Sequence, residues 1–144
     1  MSSHAARTHT RALLMQAHYQ HQLTDTPLLD LLQQFEQRDE HARVDAEYFE
    51  ALLRVSIAQA EVLDEEIVTL AQRGKEQLGP VEIAILRVAL TELRERIDIP
   101  FRVVINEAVA VARRFAAEDA HKFVNAVLDR AARQHRAAEQ QAQA

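Results

Sequence analysis

The side chains best suited to binding chemistry lie near the carboxyl end, in the segment Phe101 to Arg130. At about 100° per residue, the apolar residues of this segment collect on one side of two helices and leave Arg113 and Arg114 on the exposed side of the first. Exposed basic side chains of this kind can face the phosphates of a polyanion. The second helix follows Asp119, whose carboxylate can accept unpaired first-turn N–H groups. We therefore expect function to lie along the exposed edges of these two helices.

The exposed edge of the second helix carries a basic strip interrupted by one acid, formed by Lys122, Asn125, Asp129, Arg133 and Arg136. Such strips are most often solvated helix faces, and spacing alone favours that interpretation. Phe123 lies at the border of the apolar stripe, where most phenylalanines belong to the core. If its ring is exposed, however, an unpaired RNA base could stack on it. Both alternatives stay open from the residues alone.

Catalytic and metal-dependent chemistry finds little support in the residues. The 144 residues include no cysteine and only two glycines, so neither a thiolate nucleophile nor a glycine-rich phosphate loop is available. His18 and His21 stand one helical turn apart, but no carboxylate on the next turn of their helix completes a metal site. We predict no enzymatic activity, no cofactor and no metal.

The elements that must position these side chains are helices. Ala, Leu, Glu, Gln and Arg are plentiful, whereas Gly, Pro and aromatic residues are scarce. The pattern predicts an all-α fold of six or seven helices around a central apolar one. The predicted helices cover approximately 7–23, 28–37, 45–73, a segment opening at Gly79-Pro80, 103–115 and 119–135. The fourth of these is apolar nearly all round, which indicates the buried centre of the fold.

Charge and hydropathy restrict the partners and the compartment. The net charge of −5 divides into +2 over residues 1–24, −9 over 25–100 and +2 over 101–144. An acidic body with basic ends can still bind a polyanion through a local patch. No apolar run is long enough to span a bilayer, so we expect a cytoplasmic protein without membrane contact. We also expect a single domain over 1–136 and a disordered tail over 137–144.

Three long motifs follow one another in the second half of the chain: ILRVALTEL from Ile85, VVINEAVAVARRF from Val103 and AEDAHKFVNAVLDRA from Ala117. This series resembles the NusB family of bacterial transcription antitermination factors. The resemblance covers nearly the whole chain and implies an all-helical fold of two packed helical subdomains, without catalysis. It also implies pairing with NusE, a small-subunit ribosomal protein, and joint binding to single-stranded boxA RNA of nascent ribosomal-operon transcripts. The implied setting is the transcription elongation complex with other Nus factors.

The resemblance implies an RNA contact at two places. The family's arginine-rich run at the start of the first helix corresponds to the sequence RTHTR here, in which two arginines remain. Because each neutralised phosphate adds to salt-dependent affinity, this thinned run predicts weaker RNA binding unless His9 protonates beside the phosphates. The family's Asp-x-x-Lys-Phe segment corresponds to residues 119–123. The implied RNA face therefore consists of Arg7, His9, Arg11, Asp119, Lys122 and Phe123.

By the same resemblance, NusE docks around the fourth to sixth helices, which implies partner contacts by Lys75, Glu76, Glu82 and Arg87. From spacing alone, Glu82 and Arg87 project from an apolar helix and are expected to pair internally. Asn106 and Glu107 are predicted to fasten neighbouring helix ends by hydrogen bonds. A second functional class stays open: a helical protein-interaction module that has kept the partner surface but binds RNA weakly or not at all.

Overall fold

The computed structural model describes residues 3–142, which form eight α-helices and two short 3₁₀ helices. The α-helices are α1 His4–Thr24, α2 Leu28–Glu36, α3 Ala46–Ala58, α4 Ala60–Ala71, α5 Pro80–Glu95, α6 Phe101–Phe115, α7 Ala120–His135 and α8 Ala137–Ala142. The 3₁₀ helices span Asp39–Arg43 and Lys75–Gln77. No strand occurs in residues 3–142, and the all-α prediction is confirmed. None of the helices described is both long and apolar enough to cross a membrane.

Local capping chemistry sets where the helices of the central region begin. Asp45 precedes α3, and its carboxylate accepts the backbone N–H of Tyr48 at 3.1 Å. Pro80 is the first residue of α5, a position that needs no backbone donor. The Glu82 carboxylate reaches back to accept the N–H of Gly79 at 2.9 Å. The starts predicted at Asp45 and at Gly79-Pro80 are therefore confirmed.

The prediction of one long third helix over residues 45–73 is wrong, because the helix is interrupted at Gln59. This residue has φ −108° and ψ 17°, and its N–H bonds back to Val55 and Ile57 at the end of α3. Apolar residues on both sides of the break face the same core, so the apolar spacing continues through it. Periodicity alone could not detect the interruption. The predicted third helix is therefore two helices, α3 and α4, among the eight described.

Helix α5 occupies the centre of the fold. It packs against α1, α3 and α4, which precede it in the chain, and against α6 and α7, which follow it. Its residues from Ile83 to Leu93 are all buried. Apolar side chains of both helical subdomains meet around it in one cluster. The predicted central apolar helix is confirmed, although its buried face also holds Arg87, Thr91 and Glu92.

The carboxyl end differs from the prediction in two respects. Residues 137–142 form the short helix α8, where the sequence predicts a disordered tail; residues 143 and 144 lie outside the described range. Arg136, predicted on an exposed strip, is only 3% exposed. Its guanidinium donates to four backbone carbonyls at the end of α5 and just beyond it, those of Glu92, Leu93, Arg96 and Ile99. The Glu92 carbonyl also accepts the N–H of Arg96 at 2.9 Å, and the Arg96 carbonyl accepts that of Ile99 at 3.0 Å. Because backbone donors run out at a helix end, a guanidinium that meets four carbonyls here has a structural role.

Leu86 tests the central position of α5. Its side chain is fully buried, so Leu86→Ala should lower the free energy of unfolding by about 2–5 kcal/mol through lost burial and a cavity. Arg113→Ala on the exposed face of α6 is the control and should change it by less than about 0.5 kcal/mol. Urea melts of both variants measure the difference, and equal stabilities would contradict the placement of α5.

Candidate nucleic-acid and partner interfaces

Arg11 lies in a buried ion-pair network and not on a surface. Its Nε and Nη2 donate to the two carboxylate oxygens of Glu92, each at 2.9 Å, and its Nη1 donates to Glu107 at 3.1 Å. The Tyr48 hydroxyl donates to Glu92 at 2.6 Å. With only 5% of Arg11 exposed, its guanidinium cannot reach a phosphate. In this structure Arg11 therefore serves the fold, and its geometry lends no support to the expected contact with RNA.

This network joins four helices, since Arg11 comes from α1, Tyr48 from α3, Glu92 from α5 and Glu107 from α6. Burial raises the pKa of Tyr48, and the charge and hydrogen bond of Glu92 raise it further, so the hydroxyl stays protonated as a donor. Removing one partner of such a buried pair typically costs about 3–5 kcal/mol. Glu107 also accepts from Thr8 at 2.7 Å, which confirms its predicted role in fastening helix ends.

The other two residues expected to contact RNA at the start of α1 are partly exposed. The Arg7 guanidinium lies 3.8 Å above the Tyr48 ring, and its Nε is 3.3 Å from Asp45. The Arg7 side chain is 26% exposed, so a ligand can reach it. Its contacts with Tyr48 and Asp45 hold the guanidinium in one position. His9 is half-buried and lines a groove between α1, α6 and the first 3₁₀ helix.

Asp119, Lys122 and Phe123 lie at the start of α7. Asp119 and Lys122 are highly exposed, and their charged groups are 3.6 Å apart. Asp119 precedes α7, but its side chain makes no capping hydrogen bond, contrary to expectation. Phe123 is half-buried against the core, and the Arg73 guanidinium lies 4.5 Å from its ring centroid. The Arg73 cation therefore lies over one face of a partly exposed ring.

A second buried ion pair lies where α1, α4 and α5 meet. The Arg87 guanidinium donates to both Asp64 oxygens at 2.8 and 2.6 Å, and Lys75 donates to Asp64 at 2.8 Å. Burial alone would raise the pKa of Asp64, but these hydrogen bonds lower it. The internal pairing expected for Arg87 is confirmed. Its side chain is 3% exposed, so the geometry lends no support to the expected contact with a partner.

Two histidines of α1 complete this second cluster. His18 is fully buried, with Nε2 at 2.7 Å from the Ser56 hydroxyl. Arg87 Nη1 lies 3.5 Å from Nδ1 of His18 and 3.3 Å from Nδ1 of His21. Burial, followed by the Arg87 charge, lowers the pKa of His18 to about 3 and also lowers the pKa of His21. Both imidazoles therefore act as neutral acceptors beside the guanidinium.

Sequence reasoning missed Asp64, Ser56 and Glu92 as partners in these clusters. Each is a single polar residue at an apolar position of its helix, which was the available signal. A buried polar group of this kind needs a partner. Its partner comes from a distant helix, however, and helical spacing within one segment cannot identify it.

The surface beside the second cluster is mainly acidic. A shallow depression along α4 is lined by Glu61, Asp64, Glu65 and the Lys75 amine, among others. Lys75 is 57% exposed, and Glu76 is also exposed. Glu82 is half-buried and holds the start of α5. Of the four residues expected at the partner surface, Lys75, Glu76 and Glu82 thus remain accessible.

These features define an all-helical protein with an acidic depression along α4 and exposed charged side chains at the start of α7. The NusB family model matches residues 8–133 of the chain. The transcription antitermination protein NusB of Alcanivorax borkumensis is 46% identical over 138 residues, which cover 96% of this chain and 92% of that protein. The chain therefore belongs to the NusB family.

Solved structures agree with this membership. T. maritima NusB superposes with a TM-score of 0.79 at 30% identity, covering 94% of each chain. A structure of antitermination factors NusB and NusE in complex with double-stranded RNA has a TM-score of 0.74 at 24% identity, covering 90% of this chain and 97% of that one. The second likeness shows the fold alone. The predicted fold of two packed helical subdomains is confirmed.

The buried imidazole of His18 should make stability depend on pH. The unfolded chain protonates this group below about pH 6.5, whereas the folded protein excludes the proton until about pH 3, so stability falls as pH falls through this window. His18→Gln should reduce that slope by about 1.4 kcal/mol per pH unit between about pH 6 and pH 5. Urea unfolding at several pH values measures it.

His4→Gln at an exposed position provides the matched control and should keep the wild-type slope. Asp64 and His21 face the same cluster and also favour folding at higher pH, so some slope should remain in His18→Gln. An unchanged slope in His18→Gln would contradict the neutral, buried state of this histidine.

Proposed function

We propose that the protein acts as a transcription antitermination factor that pairs with NusE and binds boxA RNA of nascent ribosomal-operon transcripts. The main support for this proposal is that the chain belongs to the NusB family over nearly its whole length, and that its relatives are named transcription antitermination proteins. Its setting would be the elongation complex, in the cytoplasm. The proposal includes no catalytic step and no cofactor.

The acidic surface supports the partner in this proposal. Residues 25–100 carry a net charge of −9, and α4 presents Glu61 and Glu65 outward. Val62 between them is 51% exposed, which adds an apolar contact to the acidic face. A ribosomal protein is expected to be basic, and complementary charge speeds association and fixes orientation. We place the NusE contact here, with Lys75, Glu76 and Glu82 at its edge.

The RNA face in this proposal differs from the one that the resemblance implies. Arg7, His9, Lys122 and Phe123 remain as candidate contacts, with Asp119 beside them, whereas Arg11 drops out because it is buried. Its burial favours the alternative function, a helical interaction module with weak or no RNA binding. RNA measurements with and without NusE separate the two functions.

The first test concerns the partner. We expect a one-to-one complex with NusE that elutes as a single peak in gel filtration at micromolar concentration. A Glu61→Lys, Glu65→Lys variant should bind NusE more weakly because the charge match on α4 is reversed. Glu47→Lys, Glu50→Lys on α3 changes charge equally and should still form the complex. Separate peaks for the wild-type proteins would contradict the proposed pairing.

The second test concerns RNA bound by the NusE complex. Phe123→Leu should weaken binding without changing its salt dependence, because a stacked base releases no counterions. Lys122→Ala should weaken binding and reduce the slope of log affinity against log salt by about 0.7, the value for one phosphate on a single strand. Titration of labelled boxA-type RNA at several salt concentrations measures both. Wild-type affinity in both variants would remove the start of α7 from the RNA face.

A further inference from the structure

We infer that single-stranded RNA also binds in the groove lined by His9, Arg43, Arg114 and Phe115, which we call the Arg43–Arg114 groove. This inference rests on the proposed RNA-binding function and supplies cationic contacts that the thinned run at the start of α1 lacks. Neither arginine belongs to that run or to the segment 119–123.

Three distant parts of the sequence build the groove. His9, Ala12, Leu13 and Gln16 come from α1, Glu40 and Arg43 from the first 3₁₀ helix, and Arg114 with Phe115 from the end of α6. The space between them measures about 430 Å³, part of it open to solvent. The Arg38 guanidinium, which donates to Gln16 at 3.0 Å, adds a further positive charge beside it.

Arg43 and Arg114 differ from the arginines that sustain the fold. Within residues 3–142, neither makes a hydrogen bond or an ion pair, and both are exposed. Arg11, Arg87 and Arg136, in contrast, are buried and fully engaged. A guanidinium without an internal partner keeps all its donors for a ligand, and its planar fork suits a phosphate.

The walls of the groove suit a nucleotide better than an inorganic anion. Ala12 and Leu13 form an apolar floor, and the half-buried ring of Phe115 stands next to them. The Arg114 guanidinium lies 4.8 Å from that ring's centroid, which places a cationic and an aromatic group side by side. Phosphates can bind the two arginines while an unpaired base packs on Phe115, the combination that single-strand binding uses.

Charge around the groove favours RNA over a protein partner. Arg43 and Arg114 face one carboxylate, Glu40, and the acidic depression along α4 is built from other residues. A basic partner such as a ribosomal protein would meet repulsion at the groove and attraction at α4. The two charged surfaces therefore assign RNA and NusE to separate places.

The test is a titration of labelled single-stranded boxA-type RNA with the full chain in complex with NusE. Arg43→Ala and Arg114→Ala should each weaken binding several-fold and reduce the salt slope by about 0.7. Glu40→Gln should strengthen binding several-fold, because it removes the one carboxylate in the groove, and a folding defect cannot mimic that gain. Arg54→Ala, which removes an exposed arginine of α3, is the matched control and should leave affinity unchanged.

Three results would overturn the inference in distinguishable ways. If the wild-type complex binds RNA and the three groove variants bind with wild-type affinity and slope, the groove is wrong and the proposed function stands. If the wild-type complex fails to bind RNA, the proposed function and the groove fail together. Loss of NusE binding in Arg43→Ala and Arg114→Ala would instead assign the groove to the protein partner.

Discussion

The ion pair between Arg11 and Glu92 is the interaction on which the arrangement of the helices depends. Two charges taken out of water are tolerated only when both are paired and hydrogen-bonded, and here one carboxylate receives the guanidinium of α1 and the hydroxyl of Tyr48. Glu107 neutralises the remaining face of Arg11. These groups are satisfied only when α1, α3, α5 and α6 are each turned and shifted along their axes to one position. The ion pair therefore fixes the register of the four helices as well as their contact.

A similar constraint operates near the middle of α5, around Arg87 and Asp64. Because α5 is apolar on nearly every side, its few polar residues decide which neighbours pack where. Arg87 selects α4 through Asp64 and α1 through two neutral histidines. No buried side-chain nitrogen or oxygen in the described residues lacks a hydrogen-bond partner, so both clusters are complete. Binding is consequently left to the exposed side chains, such as Lys75 at the edge of the second cluster.

The sequence predicted the fold better than the surfaces, for physical reasons. Spacing of apolar residues located α5 and α6, because burial of one face repeats locally along a helix. Arg7 and Arg11 look equivalent in sequence, yet one is partly exposed and the other buried. Arg136, predicted on an exposed strip, is buried as well. Whether an arginine pairs with a buried carboxylate or stays free to bind a ligand depends on which distant helix packs opposite it. Residue spacing within one segment carries no information about that helix.

The anchoring of Arg136 bears on how the protein can be engineered. Four carbonyls at and just beyond the end of α5 accept hydrogen bonds from this one guanidinium, and the Glu139 carboxylate of α8 accepts from its Nη1 at 2.6 Å. A truncated form that stops at His135 would keep every residue of α7 yet remove this charged donor from all four oxygens, and hydrogen bonds lost from buried groups are costly. Fusion partners and affinity tags should therefore be joined beyond Glu139, since the smallest well-folded unit includes residues that carry no apolar pattern at all.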